Sequence, residues 1–301
     1  MKWNKIGRLC DGAGGAAWAS THAALPVVDA LSGGRHRVYF SGRDGHGRAH
    51  IGFGDADLAA PFSWTVSPAP VIGPGALGAF DDSGVTSSCL VNDNGRKYLY
   101  YTGWSLGVTV PFYLHIGLAV SDDDGATYRR VSTAPLLDRD RVDPFLTASP
   151  WILRDGGVWR MWYVSGVCWF VRDGRPTHKY HIRYAESSDG IAWDRRGVVC
   201  IDFKSDDEYA IARPCVVRDG DVYRMWYSSR GDSYRIGYAE SSDGIVWRRK
   251  DDEAGIDVSA AGWDAEMIEY PCIVDVLGRR LMLYNGNDFG RTGIGVAELE
   301  L

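Results

Sequence analysis

SSDGIAWDRRG at Ser187–Gly197 returns as SSDGIVWRRKD at Ser241–Asp251. A near-identical aromatic run precedes each copy: RMWYVSG at Arg160–Gly166 and RMWYSSR at Arg224–Arg230. Repetition at a fixed spacing decides an architecture before any single residue does, because each copy is a unit that buries its apolar face only against its neighbours. The spacing here is about 60 residues, within the range of repeat architectures.

Working outward, Pro26, Cys89, Pro150, Pro214 and Pro271 each lead a short apolar strand: PVV, CLV, PWI, PCV and PCI. An aromatic strand follows after a polar turn: HRVYF (36–40), YLYY (98–101), WRMWY (159–163), YRMWY (223–227) and LMLY (281–284). Third strands read HIGF (50–53), IGLA (116–119), IRYA (182–185), IGYA (236–239) and IGVA (294–297). A fourth begins at Trp64, Tyr128, Trp193 and Trp247, and the last unit lacks one. WNKIG at Trp3–Gly7 resembles WDRRG at Trp193–Gly197 and supplies it. Alternation and turn punctuation predict antiparallel β-structure throughout, with no helix. The expected fold is all-β, a five-bladed β-propeller of four-stranded antiparallel blades. It is closed by the N-terminal strand completing the last blade, and it forms one domain over residues 1–301. An open β-sandwich gives no reason for five equivalent units.

The chain's 301 residues are 45% hydrophobic, enough for a large core. Thirty-seven glycines fit a turn-rich β-protein. The formal charge of −6 argues against a nucleic-acid partner, which needs a basic stripe. No apolar run is long enough to span a membrane and no export signal is visible, so a cytoplasmic location with no membrane partner is expected. The six cysteines form no CxxC pair. Cys89, Cys215 and Cys272 fall in corresponding strands and read as small buried hydrophobes. No metal or other cofactor is predicted, although an Asp ring is chemically able to hold Ca²⁺.

In such a ring, side chains just before each anchor converge on one mouth. Seven residues before the anchors lie Asp82, Asp143, Asp207 and Asp264, with Ala19 in the first blade. This ring has two readings: a carboxylate-lined funnel, or carboxylates that each cap their own turn. Glu208, Glu266 and Glu269 do not repeat, so no structural rule accounts for them. His22, Arg213 and Arg230 are cationic or basic candidates on the same face. Trp104, Trp263, Asn285 and Asn287 complete a set suited to a sugar, with rings for its apolar side and polar groups for its hydroxyls. The stretches 103–112 and 165–180 are expected as loops over this face.

Through its repeated Asp-Gly turns and MetTrpTyr strands, the chain resembles the five-bladed carbohydrate-active propellers of the arabinanase, invertase and levansucrase superfamily. The resemblance covers the whole chain. It implies three funnel acids, in the first, third and fourth blades. Asp143, in VDPF, matches the third-blade acid, and Glu208, in DDEY, the fourth-blade general acid. Glu269-Tyr270-Pro271 resembles the Glu-x-Pro motif of that acid but lies in the fifth blade. The first blade has no acid on this face, so either Asp82 takes that role or the chemistry is not plain hydrolysis; in a hydrolase the second carboxylate is Asp82 or Glu269. The implied function is a glycoside hydrolase, or a glycosyl-transferring or phosphorolytic relative, with catalytic candidates Glu208, Asp143, Asp82 and Glu269. The alternatives are a biosynthetic enzyme acting on a small sugar-containing metabolite, and a non-catalytic sugar-binding propeller. In each case the partner is a small carbohydrate or sugar-containing molecule.

Overall fold

A computed structural model describes residues 1–12, 15–31, 35–59 and 62–300. Strand β1 (Trp3–Cys10) opens the chain. The first unit holds β2 (Thr21–Ala30), β3 (His36–Arg43), β4 (Ala49–Asp57) and β5 (Ser63–Val66). The second holds β6 (Gly84–Asp93), β7 (Arg96–Leu106), β8 (Phe112–Ser121) and β9 (Arg129–Arg130). The third holds β10 (Thr147–Asp155), β11 (Val158–Arg172), β12 (Arg175–Ser187) and β13 (Asp194–Ile201). The fourth holds β14 (Ala210–Asp219), β15 (Val222–Arg230), β16 (Tyr234–Ser241) and β17 (Arg248–Arg249). The last holds β18 (Glu269–Val276), β19 (Arg279–Asn285) and β20 (Ile294–Leu299).

Within each unit consecutive strands pair antiparallel, and β1 pairs with β20, so the last unit reads β1-β20-β19-β18. Single parallel bridges, Ala49 to Gly84 and Tyr180 to Ala210, join the first two units and the next two into eight-stranded sheets. No sheet closes on itself among the described residues. The first strands of the units nonetheless neighbour one another in the cyclic order β2, β6, β10, β14, β18 and back to β2.

Local chemistry explains the strands. Turns between first and second strands include Asn94-Gly95, Gly156-Gly157 and Leu277-Gly278, all with positive φ at both residues. Two left-handed residues match the twist of a hairpin. Asp173-Gly174 does the same between β11 and β12, with φ of 52° and 74°. That turn makes 165–180 a long hairpin rather than the expected loop, whereas 103–112 is half β7 and β8 and half the expected loop, at 107–111. The strand signal continues through the first of these stretches.

The repeated Ser-Ser-Asp-Gly turn is a latch between units. Ser187 Oγ accepts the Gly190 N–H and Asp189 accepts those of Ile191 and Ala192. The turn so held offers the Gly190 carbonyl to the Tyr100 hydroxyl of the preceding unit at 2.8 Å. Gly244 accepts Trp162 Nε1 in the same way at 2.8 Å. A Cβ on Gly190 would sit 2.8 Å from that tyrosine oxygen, so glycine is needed for the close approach as well as for its φ of 75°. Cysteine thiols link first strands: Cys89 Sγ accepts from Ile152 N and Cys215 Sγ from Ile273 N.

Candidate functional site

Four buried carboxylates recur, one in each of the second to fifth units: Asp81, Asp143, Glu208 and Asp264, none more than 3% exposed. Asp81 and Glu208 therefore occupy the ring expected for Asp82 and Asp207, each shifted by one residue. Every member is clamped by a cation from the fourth strand of its unit. Arg130 reaches Asp81 at 2.8 Å, Arg195 reaches Asp143 at 3.0 Å, Arg249 reaches Glu208 at 2.8 Å and Lys5 of β1 reaches Asp264 at 2.7 Å. The second-strand tyrosine hydroxyl donates to the same carboxylate from Tyr101, Tyr163 and Tyr284. In the fourth unit Ser229 donates to Glu208, while Tyr227 donates to Asp251. Burial raises the Glu208 pKa, but Arg249 and Ser229 outweigh it and hold the carboxyl below its ordinary range. Asp264 is lowered in the same way by Lys5. A carboxylate ionised and fully bonded is a poor proton donor.

The cavity on this face is about 480 Å³ and has no Asp or Glu among its lining residues. That corrects the expectation of a carboxylate-lined funnel. Its floor is built by residues just before the anchor prolines. Leu25, Ser149 and Tyr270 line it with φ of 57°, 46° and 57°. Non-glycine residues in this region cost about 1–3 kcal/mol each and gather at sites that need an imposed geometry. The sequence signal is a residue-plus-Pro pair in four of the five units, with Cys89 in place of the proline in the second.

His22, Trp104 and Arg230 lie in the lining, as expected of binding residues. Burial, with Arg43 and Arg291 nearby, lowers the His22 pKa to about 4. His178, stacked on Tyr180 at 4.5 Å, is lowered to about 4 by burial and then by Arg230. Both imidazoles are neutral near pH 7. Trp104 packs edge-on against Phe112 at 4.9 Å.

Glu269 is 0% exposed, and neither of its carboxyl oxygens has a hydrogen-bond partner. Burial raises its pKa well above the usual carboxylate range, against the opposing pull of Arg230. Tyr180, Tyr234, Tyr270 and Arg230 face it, and all four line the cavity. Of the four carboxylates expected to be catalytic, only Glu269 combines a retained proton with a place directly behind the cavity wall.

The remaining candidates are engaged elsewhere. Asp82 caps the Gly78 N–H at 3.0 Å and accepts from Ser83. Arg213 is 0% exposed and crosses the axis, donating to the carbonyls of Pro26, Ser87 and Ser88. It is a plug, not a ligand contact, because backbone oxygens occupy it. Asn285 ties the last unit to the first through the Ala23 carbonyl and the Leu25 N–H, at 2.6 and 2.8 Å. Asn287 clasps its own loop by accepting from Glu266 N and Met267 N. Trp263 stacks on Tyr284 at 5.5 Å. Asp207 and Glu266 are exposed, and neither lines the cavity. Among the described residues no cluster of three or more His, Cys, Asp or Glu is placed to hold a metal, and no helix is long and apolar enough to cross a membrane.

No family model matches the chain. The Mycobacterium tuberculosis proteins MT1551 (strain CDC 1551 / Oshkosh) and Rv1502 (strain ATCC 25618 / H37Rv) are each 47% identical over 301 residues, covering all of both chains. The chain belongs to the family of these two mycobacterial proteins. Members of this family share a fold with solved glycoside hydrolases. A thermostable family-43 glycoside hydrolase superposes with a TM-score of 0.71 at 15% identity, over 93% of this chain and 90% of that one. The endo-arabinase of Bacteroides thetaiotaomicron VPI-5482 gives 0.66 at 12% identity, over 95% and 97%. The Bombyx mori GH32 beta-fructofuranosidase BmSUC1 gives 0.65 at 14% identity, over 93% and 62%. The fold is thus the propeller-like fold of the superfamily that the sequence resembles.

Proposed function

We propose that the protein is a five-bladed β-propeller enzyme acting on a sugar-containing small molecule, with Glu269, one residue behind the cavity-lining Tyr270, as the source of the proton for the departing oxygen. The five antiparallel units, the cyclic order of their first strands and the pairing of β1 with β20 support the five-bladed reading. The observation that carries the activity is the buried, unbonded, proton-retaining carboxyl of Glu269 behind the cavity wall. Such a group donates a proton near neutral pH, where an ordinary carboxylic acid has already lost it.

Two-carboxylate hydrolysis needs a second acid flanking the scissile bond. Asp143 and Glu208 are each held in a four-partner cluster or an arginine fork, and no carboxylate lines the cavity. This favours transfer to an acceptor that brings its own nucleophile, inorganic phosphate among them, over plain hydrolysis. The same arrangement supports a biosynthetic role on a small metabolite. The proposal requires no metal.

The test is release from a panel of nitrophenyl glycosides and sugar phosphates, with and without inorganic phosphate. Glu269→Gln is expected to lose at least about 100-fold in rate, the usual weight of a general acid, with Glu266→Gln unchanged. Turnover that survives in Glu269→Gln overturns the assignment. Sugar binding by calorimetry without turnover by wild type establishes the non-catalytic reading, which the neutralised acid ring favours.

A further inference from the structure

Two cavities meet at Phe112, His178 and Arg230. The inner one, about 480 Å³, is walled by Leu25, Leu106, Phe112, Leu114, Val164 and Phe289. None of its lining residues is Asp, Glu, Asn or Gln. The polar groups that do line it include His22, Arg43 and the Ser and Thr hydroxyls of Ser41, Ser83, Thr86, Thr102 and Ser149; the apolar stretch between them rewards apolar ligand surface. The outer cavity, about 660 Å³, carries Arg172, Arg175 and Arg230, with Asp173 and Asp232.

Arg230 stands at the neck, in both linings. Arg130, Arg195 and Arg249 each hold a buried carboxylate. Arg230 makes no ion pair among the described residues, and its Nε is buried without a hydrogen-bond partner. Its neighbours are rings: Tyr209, Tyr234 and Phe289 lie 5.5, 5.4 and 5.6 Å from the guanidinium. Glu269, whose carboxyl burial pushes up, makes no ion pair with it. A partly desolvated guanidinium lacking an anion is a receptor for one; Arg172 is paired with Asp232 at 3.2 Å, and Arg175 adds the second cation that suits a phosphoryl group.

We propose that the funnel takes an anionic amphiphile: a sugar whose phosphoryl group sits at Arg230 and whose apolar substituent fills the inner cavity. This rests on the funnel being the reaction site, and it names the substrate class for that site. The scissile bond then lies at the neck, beside Glu269.

Butyl, hexyl and octyl phosphate, kept below micelle-forming concentration, serve as probes in calorimetry. Affinity is expected to rise roughly fourfold per methylene until the cavity is full. Glucose 1-phosphate and inorganic phosphate are expected to bind at least tenfold more weakly than octyl phosphate. Arg230→Gln should lower octyl phosphate affinity at least tenfold and leave that of octyl glucoside unchanged. Leu106→Ser, at an exposed lining position, should flatten the dependence on chain length. Equal affinity across the alkyl series, tighter binding of glucose 1-phosphate, or indifference to Arg230→Gln overturns the proposal. Glu269→Gln should keep the chain-length dependence, so loss of the acid assignment and loss of the amphiphile site are separable outcomes.

Discussion

The first unit differs from the other four in one coordinated way. Where the second to fifth units place a buried acid, a tyrosine (replaced by Ser229 around Glu208) and a cation, the first places Ala19, Phe40 and Val66. Trp18 fills the gap, packing on Phe40 at 4.9 Å, and Phe40 packs on Trp64 at 5.4 Å. All the polar members changed together. A buried ion pair can be exchanged for apolar groups of similar volume at little net cost, whereas loss of one partner leaves an uncompensated charge. The carboxylate ring therefore works as a set of four structural clamps that the fold can replace as a whole.

Breaking one clamp should have the largest effect. Asp143→Ala strands Arg183 and Arg195 together with the Tyr163 and Ser165 hydroxyls, and is expected to cost about 3–5 kcal/mol in urea unfolding. A loss below about 1 kcal/mol would mean that the clamp is ornamental to stability, as exposed pairs are.

Glu269 sharpens the contrast, because the last unit carries one clamped acid and one without a cation bonded to it. Its folded pKa is raised above the ordinary 4.5, so above pH 4.5 the native protein keeps a proton that the unfolded chain releases. Stability then falls by about 1.4 kcal/mol per pH unit until the folded group also ionises. Glu269→Gln removes that slope, and its stability relative to wild type should rise between pH 5 and pH 8. Clamped Glu208 and Asp264 run the other way: lowered in the fold, they contribute fully above their unfolded values and lose that contribution as acid protonates them. Parallel stability profiles for wild type and Glu269→Gln would contradict a buried, protonated acid.

The smallest net effect should come from converting the last unit to the pattern of the first. Asp264→Ala alone leaves Lys5 and the Tyr284 hydroxyl without their acceptor. Adding Lys5→Val and Tyr284→Phe is expected to return thermal stability to within about 1 kcal/mol of wild type. A triple variant no better than Asp264→Ala would show that the units are not interchangeable in this respect.

The repeat made the strands legible because period, turn residues and aromatic spacing all pointed the same way. It also gave the pairing of β1 with the last unit, through the likeness of Trp3–Gly7 to Trp193–Gly197. What it could not give was which neighbour in a run of acids points inward. In Asp81-Asp82 and Asp207-Glu208 the choice is set by a one-residue difference in the preceding turn, and by the reach of Arg130 and Arg249 from a strand roughly 40–50 residues away. The role of Arg213 was hidden for the same reason: its partners are backbone carbonyls, which carry no sequence signature. Glu269 stood out in the sequence because it breaks the repeat, and it stands out in the structure because nothing is bonded to it.

The Arg213 guanidinium, fastened to three carbonyls from two other units, makes the axis a cul-de-sac. In the reaction proposed above, a spent product therefore leaves by the mouth through which its substrate came, and the next molecule waits for it to clear.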